Sequence, residues 1–208
     1  KGDGSADNPF EISTPEALAW FSYAVYKETQ GSWCMVMKDN IDLNGEKYNN
    51  GTGKLPWIAI KIAHANNVPG YGGTIDGGGY AISNFYSEKA FIDDDFDGTV
   101  RDFGIESGEV VGWSGAGIVY GTSYNAKIGR RSKALLERCY NKANVKATHS
   151  GYPYSGGIVA AARAGTRIVD CYNAGNITSV NSGECRASGI AGFSPIIENC
   201  YNIGKVSI

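Results

Sequence analysis

The chain has 208 residues, including 29 glycines and 13 tyrosines, and a formal net charge of −2. This length suits a single domain with a continuous core, and the glycine content is typical of a turn-rich β protein. With no basic excess to neutralise phosphates, and no run of about 20 apolar residues, the sequence predicts neither nucleic-acid binding nor insertion into a membrane.

Residues 1–32 are predicted to form an extended segment followed by one amphipathic helix. Ser13 and Glu16 have the spacing of a capping box, Pro15 suits the first turn, and Gly31 is the expected stop. We expect this helix to cover one end of the β structure that follows, whose unpaired strand edges would otherwise favour aggregation. The apolar residues at helical spacing are Ala17, Leu18, Phe21, Ala24 and Val25.

The next part of the chain alternates between strands and polar loops. Residues 33–44 are predicted as a strand and residues 45–56 as a loop rich in glycine and asparagine. Residues 57–60 and 73–82 are predicted as short strands around a loop that contains His64.

A repeated tripeptide dominates the rest of the chain: Cys139-Tyr140-Asn141, Cys171-Tyr172-Asn173 and Cys200-Tyr201-Asn202. Each copy has an apolar residue three positions before its cysteine. Ile82-Ser-Asn-Phe85 and Val100-Arg-Asp-Phe103 fit the same frame with phenylalanine in the cysteine position, which gives five rungs. Repeats of roughly 20–50 residues are typical of solenoids and propellers.

Further short apolar pieces precede and follow the three cysteine rungs, so each period contains three short strands separated by turn residues. None is long enough to form a helical stripe. The pattern predicts one all-β domain over residues 1–208, a parallel β-helix with its coils in residues 33–208 and the helix as cap. Because no cap follows the last coil, we expect this domain to be part of a larger protein.

Five cysteines are present. Cys139, Cys171 and Cys200 share a frame position with Phe85 and Phe103, so we predict free, buried thiols. A metal cluster is not expected, because no CxxC motif and no histidine at ligand spacing accompanies them.

Several segments together resemble the GLUG-type repeat family of bacterial secreted and cell-surface proteins, some of which lie beside immunoglobulin-cleaving metalloproteases. The resemblance implies a right-handed parallel β-helix, secretion and attachment to a cell surface through regions outside this chain, and no defined catalytic residues. Where the family usually has Gly-Leu-Phe-Gly, this chain has residues 90–98 instead. The matching segments, besides the three Cys-Tyr-Asn rungs, are residues 7–18, 39–45, 73–79 and 156–160.

The densest acidic cluster is Asp93, Asp94, Asp95 and Asp97. Carboxylates in such a group could bind Ca²⁺, or supply the acid and base of a glycosidase or lyase together with Arg101. The alternative is a solvated acidic turn, which is the more common role of such runs. Apart from Ca²⁺ at this cluster, no cofactor is predicted.

Two further groups are candidates for ligand binding. Tyr140, Tyr172 and Tyr201 follow the buried cysteines and are expected to point outward as a ladder, with Tyr86 in the same row and Gly104 interrupting it. The ladder could stack against sugar rings, or its members could simply cover one another. Arg130 and Arg131, with Lys127 and Lys133, lie in an insertion at residues 121–133 that could contact an acidic glycan or protein, or be a solvated loop. Asn141, Asn173 and Asn202 are predicted as a structural ladder.

The function predicted from these features is a non-catalytic adhesin or binding domain on a bacterial surface, with an extracellular glycan or a host or surface protein as partner. A polysaccharide lyase or glycoside hydrolase is the second hypothesis, by analogy of fold only. A passive stalk is the third. His64 and His149 are the only histidines and lie in no catalytic motif.

Overall fold

The computed structural model describes residues 1–28, 30–43, 56–62, 70–122, 131–148, 151, 153–180, 184–193 and 195–208. These residues form an all-β structure with a single helix, and every strand pairing is parallel. Within these ranges, no helix has the length and apolar character needed to cross a membrane.

The helix α1 spans Pro15–Glu28 and begins one residue later than the predicted capping box implies. The backbone N–H of Ala17 donates to the hydroxyl of Thr14 at 3.2 Å, so Thr14 and not Ser13 is the N-cap. Pro15 occupies the first helical position, where its missing N–H costs nothing. The buried face contains Leu18, Phe21, Ser22, Ala24 and Val25, with Ala17 only partly buried.

Five parallel sheets contain all 24 strands. The seven-stranded sheet is, in order, β1 (Phe10–Ile12), β2 (Met35–Met37), β4 (Thr74–Asp76), β7 (Thr99–Arg101), β12 (Leu135–Glu137), β17 (Arg167–Val169) and β22 (Ile196–Glu198). The six-stranded sheet is β3 (Ile41–Asp42), β5 (Ala81–Ser83), β8 (Gly104–Ile105), β13 (Tyr140–Asn141), β18 (Tyr172–Asn173) and β23 (Tyr201–Asn202).

The five-stranded sheet is β6 (Phe85–Ser87), β9 (Gly108–Gly112), β14 (Asn144–Thr148), β19 (Ile177–Val180) and β24 (Val206–Ser207). One three-stranded sheet is β10 (Gly115–Ala116), β15 (Tyr154–Gly156) and β20 (Arg186–Ser188). The other is β11 (Val119–Gly121), β16 (Val159–Ala162) and β21 (Ala191–Phe193).

Successive repeats visit the five sheets in the same order, as β7 to β11, β12 to β16 and β17 to β21. Each complete repeat therefore contributes five short strands, and the predicted three is wrong. One reason is a sharp corner between the first and second strand, where Arg138 and Asp170 adopt left-handed backbone conformations with φ of 51° and 53°. Such a corner ends one strand and starts another, although the sequence pattern around it is that of one continuous strand.

The register also corrects the first rung of the repeat. Ile75, and not Ile82, is paired with Val100, which in turn is paired with Leu136. Ile82 lies opposite Ile105, and Phe85 lies opposite Gly108. The frame failed here because the same three-residue spacing spans two different corners of the repeat. The true rungs span the corner between the first and second strands, whereas Ile82 and Phe85 span the corner between the second and third.

The core is built from equivalent residues of successive repeats. Val100, Leu136 and Ile168 are fully buried and directly stacked, whereas Ile197 in the edge strand β22 is 45% exposed. The segment that replaces the expected Gly-Leu-Phe-Gly piece also enters the core. Phe91 is fully buried and stacks on Phe103 with ring centroids 4.8 Å apart.

All five cysteines are free thiols, and the prediction of free thiols at Cys139, Cys171 and Cys200 is confirmed. Cys139 and Cys171 are buried and the backbone N–H of Cys139 points to the sulfur of Cys171 at 3.4 Å. Cys185 and Cys200 are partly exposed. The predicted burial of Cys200 is wrong, because this residue directly precedes β23, an edge strand of its sheet. Burial raises the pKa of Cys139 well above its usual value, which disfavours the reactive thiolate.

We therefore expect brief alkylation of the native protein to modify the partly exposed Cys185 well before the buried Cys139. Mass-spectrometric peptide mapping would measure the order of modification. In guanidinium, where burial is lost, all five thiols should react at similar rates. Equal labelling of Cys139 and Cys185 in the native protein would contradict the buried ladder.

Candidate functional site: the tyrosine ladder and the acidic corner

The three tyrosines of the repeat form a continuous ring stack. Parallel pairing of β13, β18 and β23 places Tyr140, Tyr172 and Tyr201 directly opposite one another. Their ring centroids are 5.1 and 5.2 Å apart, and the ring planes differ by only 8° and 5°. The spacing follows from the distance between neighbouring strands, about 4.8 Å.

This stacking determines what the ladder can offer to a ligand. Each ring covers a face of its neighbour, so Tyr140 and Tyr172 are only partly exposed, whereas Tyr201 is 55% exposed. A sugar ring has access to an aromatic face at Tyr201, and to ring edges and hydroxyls elsewhere. The geometry favours the interpretation that the rings cover one another, and ligand binding by the ladder stays a prediction.

The predicted place of Tyr86 in this row is wrong. Tyr86 lies opposite Glu109 in the five-stranded sheet, and the row continues from Tyr140 through Gly104 to Ala81. The predicted interruption at Gly104 is confirmed.

Gly104 makes room for the first ring of the ladder. A Cβ atom at Gly104 would lie 2.2 Å from Cζ of Tyr140, so the ring rests directly on the glycine backbone. The Tyr140 hydroxyl donates to Oε2 of Glu106 at 2.9 Å, and Nζ of Lys142 donates to Oε1 at 2.7 Å. Lys142 lowers the pKa of Glu106, and burial together with Glu106 raises the pKa of Tyr140. At neutral pH, Tyr140 is thus a protonated donor to an ionised acceptor.

Replacing Gly104 by alanine should lower the free energy of unfolding by about 1–3 kcal/mol, because the added methyl group overlaps the Tyr140 ring. Chemical denaturation followed by circular dichroism would measure the change. Gly72→Ala is the matched control, because the atom nearest to a Cβ added at Gly72 is a backbone oxygen 3.7 Å away. Equal effects of the two substitutions would contradict the contact between Gly104 and Tyr140.

The asparagine ladder is confirmed as a buried structural feature. Nδ2 of Asn141 donates to Oδ1 of Asn173 at 2.8 Å, and Nδ2 of Asn173 donates to Oδ1 of Asn202 at 2.7 Å. Each Nδ2 also donates to the carbonyl two residues further on, at Ala143, Gly175 and Gly204 respectively. Asn141 and Asn173 are fully buried, which leaves them unable to contact a ligand.

The acidic corner is a network of ion pairs. Asp93 is 7% exposed and its carboxylate contacts Nζ of Lys89, with Nζ of Lys61 at 3.5 Å. Nζ of Lys89 also lies 3.4 Å from Asp94 and 4.2 Å from the ring centroid of Tyr120. Lys89 therefore holds two carboxylates and an aromatic face together.

Burial perturbs the titration of this network. It raises the pKa of Asp94 above its ordinary value, although the nearby charge of Lys89 acts to lower that pKa. It also raises the pKa of Tyr120. Burial acts to lower the pKa of Lys89 by disfavouring its charged form. The hydrogen bond to Asp93 and the charge of that carboxylate outweigh burial, so the pKa of Lys89 is raised. Perturbed groups of this kind occur both in structural networks and in functional sites.

The four aspartates of the corner do not converge. Asp95 is exposed with a left-handed backbone (φ 61°), and Asp97 accepts hydrogen bonds from the hydroxyl of Ser132 and the backbone N–H of Lys133. In the part of the chain that the structure describes, no three His, Cys, Asp or Glu side chains are placed to hold one metal ion. Calcium binding at this corner stays a prediction.

The predicted grouping of Arg101 with the acidic corner is wrong. Its guanidinium pairs with Asp76 at 2.9 Å on the seven-stranded sheet. Arg138 similarly holds Asp102 through two hydrogen bonds of 2.6 and 2.9 Å, and lowers the pKa of that carboxyl. The carboxylates of Asp76 and Asp102 each have a cationic partner, and they do not form an acid–base pair that faces a substrate.

The basic insertion is only partly described. Arg130, Lys127, His64 and His149 lie outside the described residues. Arg131 is exposed and its Cβ lies beside Gly165, in the turn that follows β16. The proposed role of Arg130 and Arg131 in ligand binding stays a prediction.

Sequence reasoning missed the partners of both candidate groups. Lys61, Lys89 and Tyr120 surround Asp93 and Asp94, and Glu106 with Lys142 surrounds Tyr140. Only the strand register could have indicated these partners. Ile105 and Asn141 are paired, which places the following residues Glu106 and Lys142 side by side.

Comparison with known proteins supports the fold at a coarse level. No protein-family model and no curated protein sequence matches this chain. A crystal structure from Bacteroides ovatus, named a "putative immunoglobulin A1 protease", matches with a TM-score of 0.57 at 18% identity, over 99% of this chain and 79% of that one. At this identity, the similarity defines a shared fold and carries no information on activity. The class is therefore an all-β protein of parallel sheets with one helix.

Proposed function

We propose that this chain is a right-handed parallel β-helix capped by α1, and that it acts as a non-catalytic binding domain displayed on a bacterial cell surface. Its ligand is an extracellular glycan or a surface protein. We also propose that it belongs with the GLUG-type repeat proteins, on the segments quoted above. Secretion and attachment through regions outside this chain are part of the same proposal.

One observation carries this proposal: side chains of successive repeats lie in register along the sheets, at the spacing of the strands. The tyrosine ladder repeats the same group every 5.1–5.2 Å. A linear array of this kind suits a linear polymer, because several successive units can make the same contact. A catalytic role has less support, because the carboxylates of Asp76, Asp102 and Glu106 are each held in an ion pair.

The proposal is tested by retention of the purified protein on a panel of immobilised polysaccharides, with Ca²⁺ and with a chelator. Saturable retention is expected, and loss in chelator would implicate the acidic corner. The double substitution of Tyr172 and Tyr201 by phenylalanine keeps the stack and removes two hydroxyls. If the ladder is the contact, this variant should lose at least tenfold in affinity with an unchanged melting temperature. No retention on any polysaccharide or surface protein would favour the stalk.

A polysaccharide lyase or glycoside hydrolase is the second candidate, favoured by one observation. Asp94 has a raised pKa beside Lys89 and Tyr120, which is the kind of shift that acid catalysis uses. Release of reducing or unsaturated ends from polysaccharides would measure this activity. Asp94→Asn should abolish it, whereas Asp95→Asn, at an exposed neighbour, should leave it intact. No product with the native protein would exclude this candidate for the substrates used.

A further inference from the structure

A cluster of arginine and aromatic side chains lies at the ends of the two three-stranded sheets. The Phe193 ring has the guanidinium of Arg163 at 5.5 Å and that of Arg186 at 5.3 Å from its centroid. Tyr154 lies 5.0 Å from Phe193, ring to ring, and 5.6 Å from the Arg186 guanidinium. Two cations and two aromatic rings thus form one surface.

The backbone at this surface is unusual in two ways. Phe193 has a positive φ of 74°, which is unfavourable for a bulky side chain. The pairing of β16 with β21 also shifts register between Val159 and Ala162, so that one extra residue of β16 lies opposite β21. Bulges of this kind redirect side chains and occur often beside functional sites.

Burial does not explain this strain. Phe193 is 44% exposed, so the unfavourable conformation does not place its ring in the core. Strained residues persist where the surrounding structure holds them, and they concentrate at ligand sites. The strain directs an exposed ring between two guanidinium groups.

The charge of Arg186 is available to a ligand at this surface. Among the described residues, the guanidinium of Arg186 has ring contacts and no carboxylate within ion-pair distance. Arg131 lies beside the turn that joins Arg163 to β17, because its Cβ is close to Gly165 and Ser132 N–H donates to the carbonyl of Ala164 at 2.9 Å. A third arginine therefore stands next to this turn, in a chain whose net charge is −2.

We infer that this surface binds a saccharide that carries a carboxylate, such as a uronic acid residue of a polymer. A guanidinium matches a carboxylate through two parallel hydrogen bonds, and an exposed aromatic ring packs against the apolar face of a sugar ring. Arg186 would bind the carboxylate, and Phe193 with Tyr154 would contact the ring. This inference rests on the proposed binding function and assigns its ligand class and site.

Isothermal titration with oligogalacturonate, oligomannuronate and hyaluronan oligosaccharides tests the inference, each compared with its carboxyl-reduced neutral form. At least one acidic form should bind at least tenfold more tightly than its neutral form. Arg186→Ala should weaken that binding at least tenfold. Arg167→Ala is the matched control, because Arg167 is an exposed arginine paired with Glu198 on another sheet, and it should bind as the native protein does.

Phe193→Gly separates a binding role from a structural one. Glycine tolerates the positive φ, so this variant should keep or raise the melting temperature while losing at least tenfold in affinity. Equal binding of acidic and neutral forms, or native affinity in Arg186→Ala, would overturn the site and leave the proposed function standing. Failure of the native protein to bind any saccharide, acidic or neutral, would overturn this inference, and the proposed function would be overturned as well only if no surface protein is bound either.

Discussion

Replacing Asn173 by alanine is expected to lower the free energy of unfolding by about 2–5 kcal/mol, because each buried polar group left unpaired costs about 1–3 kcal/mol. Two buried groups each lose a hydrogen bond: Nδ2 of Asn141, which keeps only its bond to the carbonyl of Ala143, and the carbonyl of Gly175. Both are buried in the centre of the ladder. Urea denaturation followed by circular dichroism would measure the loss.

Asn144→Ala is the matched control for this substitution. Asn144 is exposed, and its Oδ1 accepts one hydrogen bond, from the backbone N–H of Asn176. Water can replace that partner, so the expected loss is less than about 1 kcal/mol. Asn202→Ala, at the exposed end of the ladder, should fall between the two. A loss for Asn173→Ala no larger than for Asn144→Ala would refute the cooperative ladder.

Replacing Lys89 by methionine is expected to lower the free energy of unfolding by about 3 kcal/mol at pH 7, since it leaves the buried carboxylate of Asp93 without its main partner. Among the described residues, Asp93 would retain Lys61, at 3.5 Å, as its one cation and the backbone N–H of Asp94, at 2.8 Å, as a hydrogen-bond donor. In the native protein, the raised pKa of Lys89 means that its contribution is present below the unfolded pKa and is lost only as the pH rises through the folded value.

The pH dependence of the variant provides a second measurement. Burial already raises the pKa of Asp94 in the native protein, and removing the charge of Lys89, which lowers that pKa, raises it further. The folded state of the variant therefore binds more protons than the unfolded state. The deficit relative to the native protein should shrink as the pH is lowered from 7 towards 4. Urea denaturation at several pH values would show this trend.

Lys142→Met is the matched control, because Lys142 pairs with the exposed carboxylate of Glu106. Its expected cost is below about 1 kcal/mol, as for surface ion pairs generally. Adding Asp93→Asn to Lys89→Met should recover part of the loss by removing the buried charge. A variant whose deficit is independent of pH would show that lost packing, and not charge, explains the effect.

The repeated tripeptide was sufficient to predict the three ladders. Cys139, Tyr140 and Asn141 recur in order, and strand alternation assigns the first and third to the inside and the second to the outside. Stacking of identical residues then follows from parallel pairing. The all-β class and the one helix of the described residues could be predicted for the same reason, because local periodicity and turn residues determine them.

The same reasoning failed where the chain turns. Ile82 and Phe85 have the spacing of a rung but span a different corner of the repeat, between β5 and β6, and Ile75 occupies the place assigned to Ile82. Local sequence does not distinguish the two corners, because both contain a left-handed residue at the same position: Asn84 (φ 51°) at this corner and Asp102 (φ 50°) in the true rung. The division of each repeat into five strands was missed because the sequence pattern does not show where these corners lie.

The sequence by itself determined which residues repeat, and hence the parallel sheets, the buried thiols and the stacked asparagines and tyrosines. Only the tertiary structure decided which residues of different repeats meet. Lys89 joins Asp93 and Asp94 beneath Tyr120, and Arg163 and Arg186 enclose Phe193. These contacts depend on register and corner geometry between distant segments, and side chains outside the repeat carry no periodic signal that could reveal them.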